Sequence, residues 1–228
     1  MPSNPSDSVL VALDVPSGER AQELALLLEP HVGGFKIGLE LFCASGPQIV
    51  EQIGPKRVFL DLKFHDIPNT VASACRVAAK MGVRIFNVHC LGGLDMMRAA
   101  VDATREVDPN VHLIGVTVLT SHDADSLARL GLSESPREAV LRLAELAREA
   151  GLDGVVCSPR EILPVRARCG DDFLLVTPGI RPQNSDLGDQ KRTLSPSEAL
   201  QAGANFLVVG RPITGVSDPV AAAKRLFD

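Results

Sequence analysis

Eight short runs rich in apolar residues recur along this chain, and their number and spacing limit the fold more than any other feature. They are "VLVALDV" (9–15), "GFKIGL" (34–39), "RVFLDLK" (57–63), "RIFNVHC" (84–90), "HLIGVTVL" (112–119), "DGVVCS" (153–158), "FLLVTPG" (173–179) and "FLVVG" (206–210). Most are continuous apolar stretches rather than apolar–polar alternations. That is the pattern of parallel strands covered on both faces. Helical patterns separate them. "ERAQELALLLEPH" follows the first run, "NTVASACRVAAKMG" the third and "GLDMMRAAVDATREV" the fourth. "SPREAVLRLAELAREAG" has Ser135 as a cap, Pro136 in the first turn and Gly151 at the end. "SPSEALQAG" and "DPVAAAKRLF" flank the last run. This alternation predicts a single (β/α)₈ barrel over 9–228. A doubly wound open sheet is the rival, because periodicity does not reveal closure. The polar start "MPSNPSDS" (1–8) reads as a frayed tail without the apolar core of a signal peptide.

Composition narrows the function. Net charge is −5, which gives no general attraction to nucleic acid or to an anionic membrane. No apolar run approaches the roughly 20 residues of a membrane helix. Cys43, Cys75, Cys90, Cys157 and Cys169 are scattered, with no C-x-x-C spacing. They suggest neither a zinc site nor a disulfide framework, and read as buried thiols in a reducing cytoplasm.

In a barrel of this kind chemistry sits at the C-terminal strand ends, and the unexpected polar residues fall there. Asp14 ends the first run and Lys36 lies in the second. Asp61 and Lys63 end the third, Thr120 follows the fifth, Arg181 the seventh and Arg211 the eighth. Residues two apart on a strand share a face, so Asp61 and Lys63 point into one pocket if that face is the interior. A lone buried charge is costly. Two carboxylates and two ammoniums neutralise one another, either as an ionic plug or as a catalytic cluster. Asp66, in "HDIPNT", reads as a solvated acid before a helix start marked by Pro68 and Asn69.

Three further features stand out. "VVGRPIT" places Gly210 and Arg211 where barrels often bind phosphate: glycine admits close backbone approach and arginine offers a charged fork. "TPGIRPQNSDLGDQKRTLSP" (177–196) is long and polar, as lids are, with Arg181 and Gln190 able to contact an anion and Lys191 and Arg192 read as solvated. His89 reads as a structural histidine, while His31, His112 and His122 lack metal-ligand spacing. Met96 and Met97 read as helix packing, and Ser158 as a candidate for the pocket wall.

Taken together, "VALDVPS", "FKIGLELF", "FLDLKFHDIPNTV", "FNVHCLGG", "GVTVLTS", "VCSPRE", "TPGIRP" and "VVGRPIT" resemble, in order and spacing, the bacterial form of the orotidine 5′-phosphate decarboxylase family. D-x-K-x-x-D alone is shared with related sugar-phosphate enzymes; the extended D-L-K-F-H-D-I-P-N-T is far more specific. The resemblance implies a cytoplasmic, homodimeric TIM barrel that converts orotidine 5′-monophosphate to uridine 5′-monophosphate and carbon dioxide, without metal or organic cofactor. It implies that Lys63 donates the proton, that Asp61 faces the substrate carboxylate, and that Lys36 joins the charge array. Asp66 and Thr70 would serve the neighbouring subunit's site, Asp14 and Thr70 the ribose, and Thr120 the pyrimidine. Arg181, Gln190, Gly210 and Arg211 would bind phosphate. The rival activities are a metal-dependent sugar-phosphate lyase of the same superfamily and a phosphate-binding barrel without catalysis.

Overall fold

The computed structural model describes residues 4–181 and 194–227. Eight parallel strands pair in sequence order, and the last pairs with the first: β1 (Val9–Ala12), β2 (Gly34–Ile37), β3 (Val58–Phe64), β4 (Ile85–His89), β5 (His112–Val116), β6 (Gly154–Val156), β7 (Leu174–Thr177) and β8 (Phe206–Val209). The β1–β8 register, Val9↔Leu207 to Val11↔Val209, closes the barrel and excludes the open sheet. Each strand lies within its apolar run in the sequence, except that β3 continues to Phe64.

Two apolar layers hold the barrel. Leu10, Ala12, Phe59, Ile85, Ile114, Val176, Phe206 and Val208 fill its interior. The opposite strand faces, with Val9, Val11, Leu60, Phe86 and Leu207 among them, pack under the helices. Both faces of every strand are therefore buried, which is why the runs are continuously apolar. The helices begin where local chemistry favours them. Ser135 and Glu138 form a reciprocal capping box at the start of Pro136–Glu149. Pro68 occupies the first turn of Pro68–Lys80, whose last turn is followed by Gly82 at φ +71°. Met96 and Met97 are buried on the inner side of Gly93–Val107. Among the described residues five helices lie where no clear helical pattern stands: Leu39–Ser45, Gln48–Ile53, Ala124–Arg129, Ile162–Cys169 and Arg211–Thr214. They are short, Gly46 and Pro47 separate the first two, and Pro164 interrupts the periodicity of the fourth.

Two expectations change. Within the stretch 1–8 read as frayed, Pro5–Ser8 form a 3₁₀ turn capped by Asn4, and Ser8 is buried. The reason is close packing: a Cβ on Gly33 would lie 1.9 Å from the Asp7 carbonyl oxygen, so only glycine there lets the turn seat. Of the five cysteines, Cys43 is exposed and the other four are buried.

The N-terminal end of the barrel holds a cavity of ≈840 Å³ bordered by Arg57, Arg84, Arg166 and Phe206. Its cations serve the fold. Arg57 bonds Glu29 and the Val32 carbonyl, Arg166 bonds the carbonyls of Gly170, Phe173 and Gly203, and Arg84 lies over the Phe206 ring at 4.7 Å. That matches the stabilising role of this face in (β/α)₈ barrels.

Candidate active site

Strand register brings Lys36 and Asp61 to one face. Lys36 stands between Ala12 of β1 and Phe59 of β3, both interior residues, so it faces inward with them. Two residues beyond Phe59 on the same face comes Asp61. The charged groups then form one alternating chain. Asp14 Oδ1 accepts from Lys36 Nζ at 2.8 Å; that ammonium lies 3.6 Å from Asp61 Oδ2; Asp61 Oδ1 accepts from Lys63 Nζ at 2.7 Å. Side-chain exposure is 58% at Asp14, 10% at Lys36, 14% at Asp61 and 31% at Lys63. The middle of the chain is thus withdrawn from water, where charge–charge attraction is strongest, and both of its ends reach solvent. Gly38 makes room for the first pair: a Cβ there would lie 2.9 Å from Lys36 Nζ and 3.0 Å from Asp14 Oδ1.

Lys63 does not reach this place by simple alternation. The β3–β4 register runs Phe59↔Ile85 and Leu60↔Phe86, then resumes at Phe64↔Val88. From Leu60 to Phe64 the third strand advances four residues while β4 advances two, from Phe86 to Val88. β3 therefore bulges, a device that re-aims side chains near active sites. Within the bulge Lys63 adopts φ +53°, the only left-handed non-glycine residue among the described ones. That conformation costs an L-residue about 1–2 kcal/mol, and such strain concentrates at functional positions.

Asn87 had no place in the sequence reading of the site, and the structure puts it at the centre. It is fully buried on β4, two residues after the interior Ile85. Its Nδ2 donates to Asp61 Oδ1 at 2.7 Å, and its Oδ1 accepts from the Lys63 backbone N–H at 2.7 Å. The signal was present in "RIFNVHC": a polar residue inside an apolar run, in phase with the inward face. Burial opposes ionisation of Asp61 more than any other single influence. The charges of Lys36 and Lys63, with hydrogen bonds from Lys63 and Asn87, together outweigh it and hold the carboxyl below its ordinary value. Asp61 is a carboxylate at neutral pH.

Lys36, Asp61, Lys63, Thr120, Pro178 and Val208 border a cavity of ≈190 Å³ at the C-terminal mouth, completed by Phe59 and by apolar residues at and just beyond the ends of β5 and β6. Gly210 follows β8 and leads into the short helix Arg211–Thr214. Arg181 follows β7, where its N–H donates to the Leu194 carbonyl and Ile180 bridges Leu194. The two ends of the long loop are thereby pinned together. Gln190, Lys191 and Arg192 lie outside the described residues, as does most of the expected lid over 177–196.

Asp66 and Thr70 stand apart from this chain of charges. Residues 65–70 are all exposed, and the Asp66 carboxylate accepts a hydrogen bond from the Ile67 N–H at 2.7 Å. His89 is structural, as its setting suggests: it accepts from the Leu91 N–H and stacks on His65 with centroids 5.5 Å apart. Burial, then the nearby charges of His65, Lys63 and His122, push its imidazole down to about 4. Ser158 is buried and donates its hydroxyl to Glu161; it is not part of the pocket wall.

Comparison with known proteins agrees with this architecture. Residues 7–226 match the family described as "Orotidine 5′-phosphate decarboxylase / HUMPS family". A protein of Hydrogenovibrio crunogenus named orotidine 5′-phosphate decarboxylase is 52% identical over 224 residues, spanning 97% of this chain and 95% of its own. One of the same name from Alkalilimnicola ehrlichii is 54% identical over 220 residues, spanning 96% and 94%. The solved structure of orotidine 5′-phosphate decarboxylase from Lactobacillus acidophilus superposes with a TM-score of 0.82 at 38% identity, covering 96% of each chain. With residues 7–226 matched and the Asp/Lys array assembled at the barrel mouth, this chain belongs to the orotidine 5′-phosphate decarboxylase / HUMPS family.

Proposed function

We propose that this barrel decarboxylates orotidine 5′-monophosphate to uridine 5′-monophosphate and carbon dioxide, with Lys63 as proton donor. The observation that carries the reading is the alternating chain Asp14–Lys36–Asp61–Lys63 at the mouth of the barrel. The reaction breaks a carbon–carbon bond. Carbon dioxide leaves, and the electron pair stays on a ring carbon that delocalises it poorly. Stabilising that carbanion requires positive charge already in place. Lys63, fixed by Asp61, supplies it without reorganisation during the reaction. Its ammonium then protonates the ring carbon and recovers a proton from solvent. Asp61, ionised beside the substrate carboxylate, raises the ground state; that contribution is secondary to the charge of Lys63. Reactions this slow without a catalyst demand acceleration near the top of the enzymatic span, roughly 10¹⁷-fold.

The remaining assignments follow the resemblance. Asp14 and Thr70 contact the ribose and Thr120 the pyrimidine. Arg181, Gln190, Gly210 and Arg211 hold the phosphate, whose remote binding energy serves the reacting centre. The enzyme acts as a cytoplasmic homodimer with shared sites. Support for sharing comes from the segment 65–70, which is exposed, carries the large apolar Ile67 at 66% exposure, and leaves Asp66 outside its own charge array. Among the described residues no helix is long and apolar enough to cross a membrane.

The test is the ultraviolet decay of orotidine 5′-monophosphate with purified protein in excess chelator. The chain has no Trp or Tyr, so its own absorbance hardly interferes. Turnover undiminished by chelator is expected, because Lys36 and Lys63 stand where a metal would supply charge. Dependence on added magnesium would shift the reading to the lyase, and absence of turnover to a binding barrel.

A further inference from the structure

Asn87 takes no part in the steps above, yet its amide touches both residues that carry them. A buried amide must satisfy two donors and an acceptor, and here the partners are unusual. Its acceptor takes the Lys63 backbone N–H at 2.7 Å, inside the bulge where β3 leaves the regular ladder. Its donor reaches Asp61 Oδ1 at 2.7 Å, the same oxygen that Lys63 Nζ holds at 2.7 Å. One side chain thus bonds the backbone of the lysine and the counter-ion of its ammonium.

We propose that Asn87 is a positioning residue for proton transfer, its amide locking the left-handed turn at Lys63 and the Asp61 carboxylate so that the ammonium is aimed in one direction. The inference rests on the reading of Lys63 as proton donor. Only a side chain with donor and acceptor at this separation makes both bonds. Leucine has a similar branched shape, though a larger volume, and neither group. An ionised aspartate keeps the acceptor but sets a second carboxylate against Asp61. Neighbouring interior residues, Phe59, Ile85 and Ile114, cannot replace either bond. Without them the bulge loses what opposes its return to regular pairing, and Lys63 loses its fixed direction. A displacement on the order of 1 Å costs about 10²-fold in rate.

The experiment compares wild type, Lys63→Ala, Asn87→Leu and Asn87→Asp for kcat, for affinity toward uridine 5′-monophosphate, and for thermal unfolding. Asn87→Leu is expected to lower kcat about 100-fold with product affinity within about threefold of wild type, since the phosphate and ribose contacts are untouched. Asn87→Asp is expected to lose as much at pH 8, but its rate relative to wild type should climb toward pH 6. Burial beside Asp61 raises the new carboxyl's pKa, and its neutral form again donates to Asp61 while accepting from the Lys63 N–H. A merely structural role would not produce that pH-dependent rescue. If Asn87→Leu fails to fold, the near-isosteric Asn87→Asp decides alone. A folded variant with kcat within threefold of wild type, a parallel loss of kcat and product affinity, or a flat pH ratio would overturn the proposal. Inactive wild type would instead strike the decarboxylase reading itself, and an active Lys63→Ala the role of Lys63 as donor; either removes the proposal with it.

Discussion

Replacing Lys63 by alanine and by glycine separates its two properties, the amine and the strained backbone. Both substitutions remove the 2.7 Å bond to Asp61, so that loss cancels when the two variants are compared. What remains is the backbone at φ +53°. Left-handed geometry costs alanine about 1–2 kcal/mol and glycine almost nothing. Against this, glycine gains about 0.5–1 kcal/mol of extra freedom in the unfolded chain. The balance favours Lys63→Gly by about 0.5–1 kcal/mol. In a chain of this size 1 kcal/mol corresponds to about 2–4 °C, so the glycine variant should melt about 1–4 °C above the alanine variant by circular dichroism. Activity should not follow stability. General acid catalysis alone is worth about 10²–10⁴-fold, and a fixed charge is lost with it, so both variants should fall below a hundredth of wild-type turnover. An alanine variant that melts about 1–4 °C above the glycine variant, the margin left by glycine's unfolded-state freedom alone, would show that no strain is stored at Lys63. Residual turnover above a hundredth in either would remove Lys63 from the role of donor.

Arg211→Ala should weaken binding of the phosphorylated nucleotide by about 1.5–3 kcal/mol while barely changing that of the unphosphorylated nucleoside; equal losses in calorimetric titrations would put the phosphate elsewhere. Asp66→Ala and Lys63→Ala homodimers should each be nearly inactive, whereas mixing them under subunit exchange should restore up to half of the activity per mixed dimer. One site then carries both lesions and the other neither, and verified heterodimers that stay inactive would refute the shared site. His89 gives a pH signature in stability. Its folded pKa of about 4 lies below the ordinary 6.5, so the unfolded chain takes up the proton first and stability falls as pH drops from 6.5 toward 4. Between pH 7 and 5 the loss should be about 1 kcal/mol, halved for partial exposure, in wild type over His89→Gln in urea titrations; equal losses in the two would contradict it.

Much of this protein is written locally in its chain. Runs buried on both faces had to be apolar throughout, so the strands announced themselves without their partners. Ser135, Pro136 and Glu138 mark a helix start by hydrogen bonds that span three residues. Asp61, Lys63 and Lys36 were conspicuous because charge on an apolar strand is costly unless it is answered nearby. Tertiary structure decided the rest. Closure depends on β1 meeting β8, a pairing between chain ends about 200 residues apart that no local period encodes. The short helices Gln48–Ile53 and Ile162–Cys169 owe their form to packing on the barrel, since segments this short do not hold helix by propensity alone. The bulge at β3 and the left-handed Lys63 exist only against β4, where Asn87 accepts the hydrogen bond that a regular ladder would have taken. Sequence thus supplied the charged groups, but their aim depends on a neighbouring strand. A hydrogen bond fixes direction only when both partners are held, and here one of them arrives from 24 residues away.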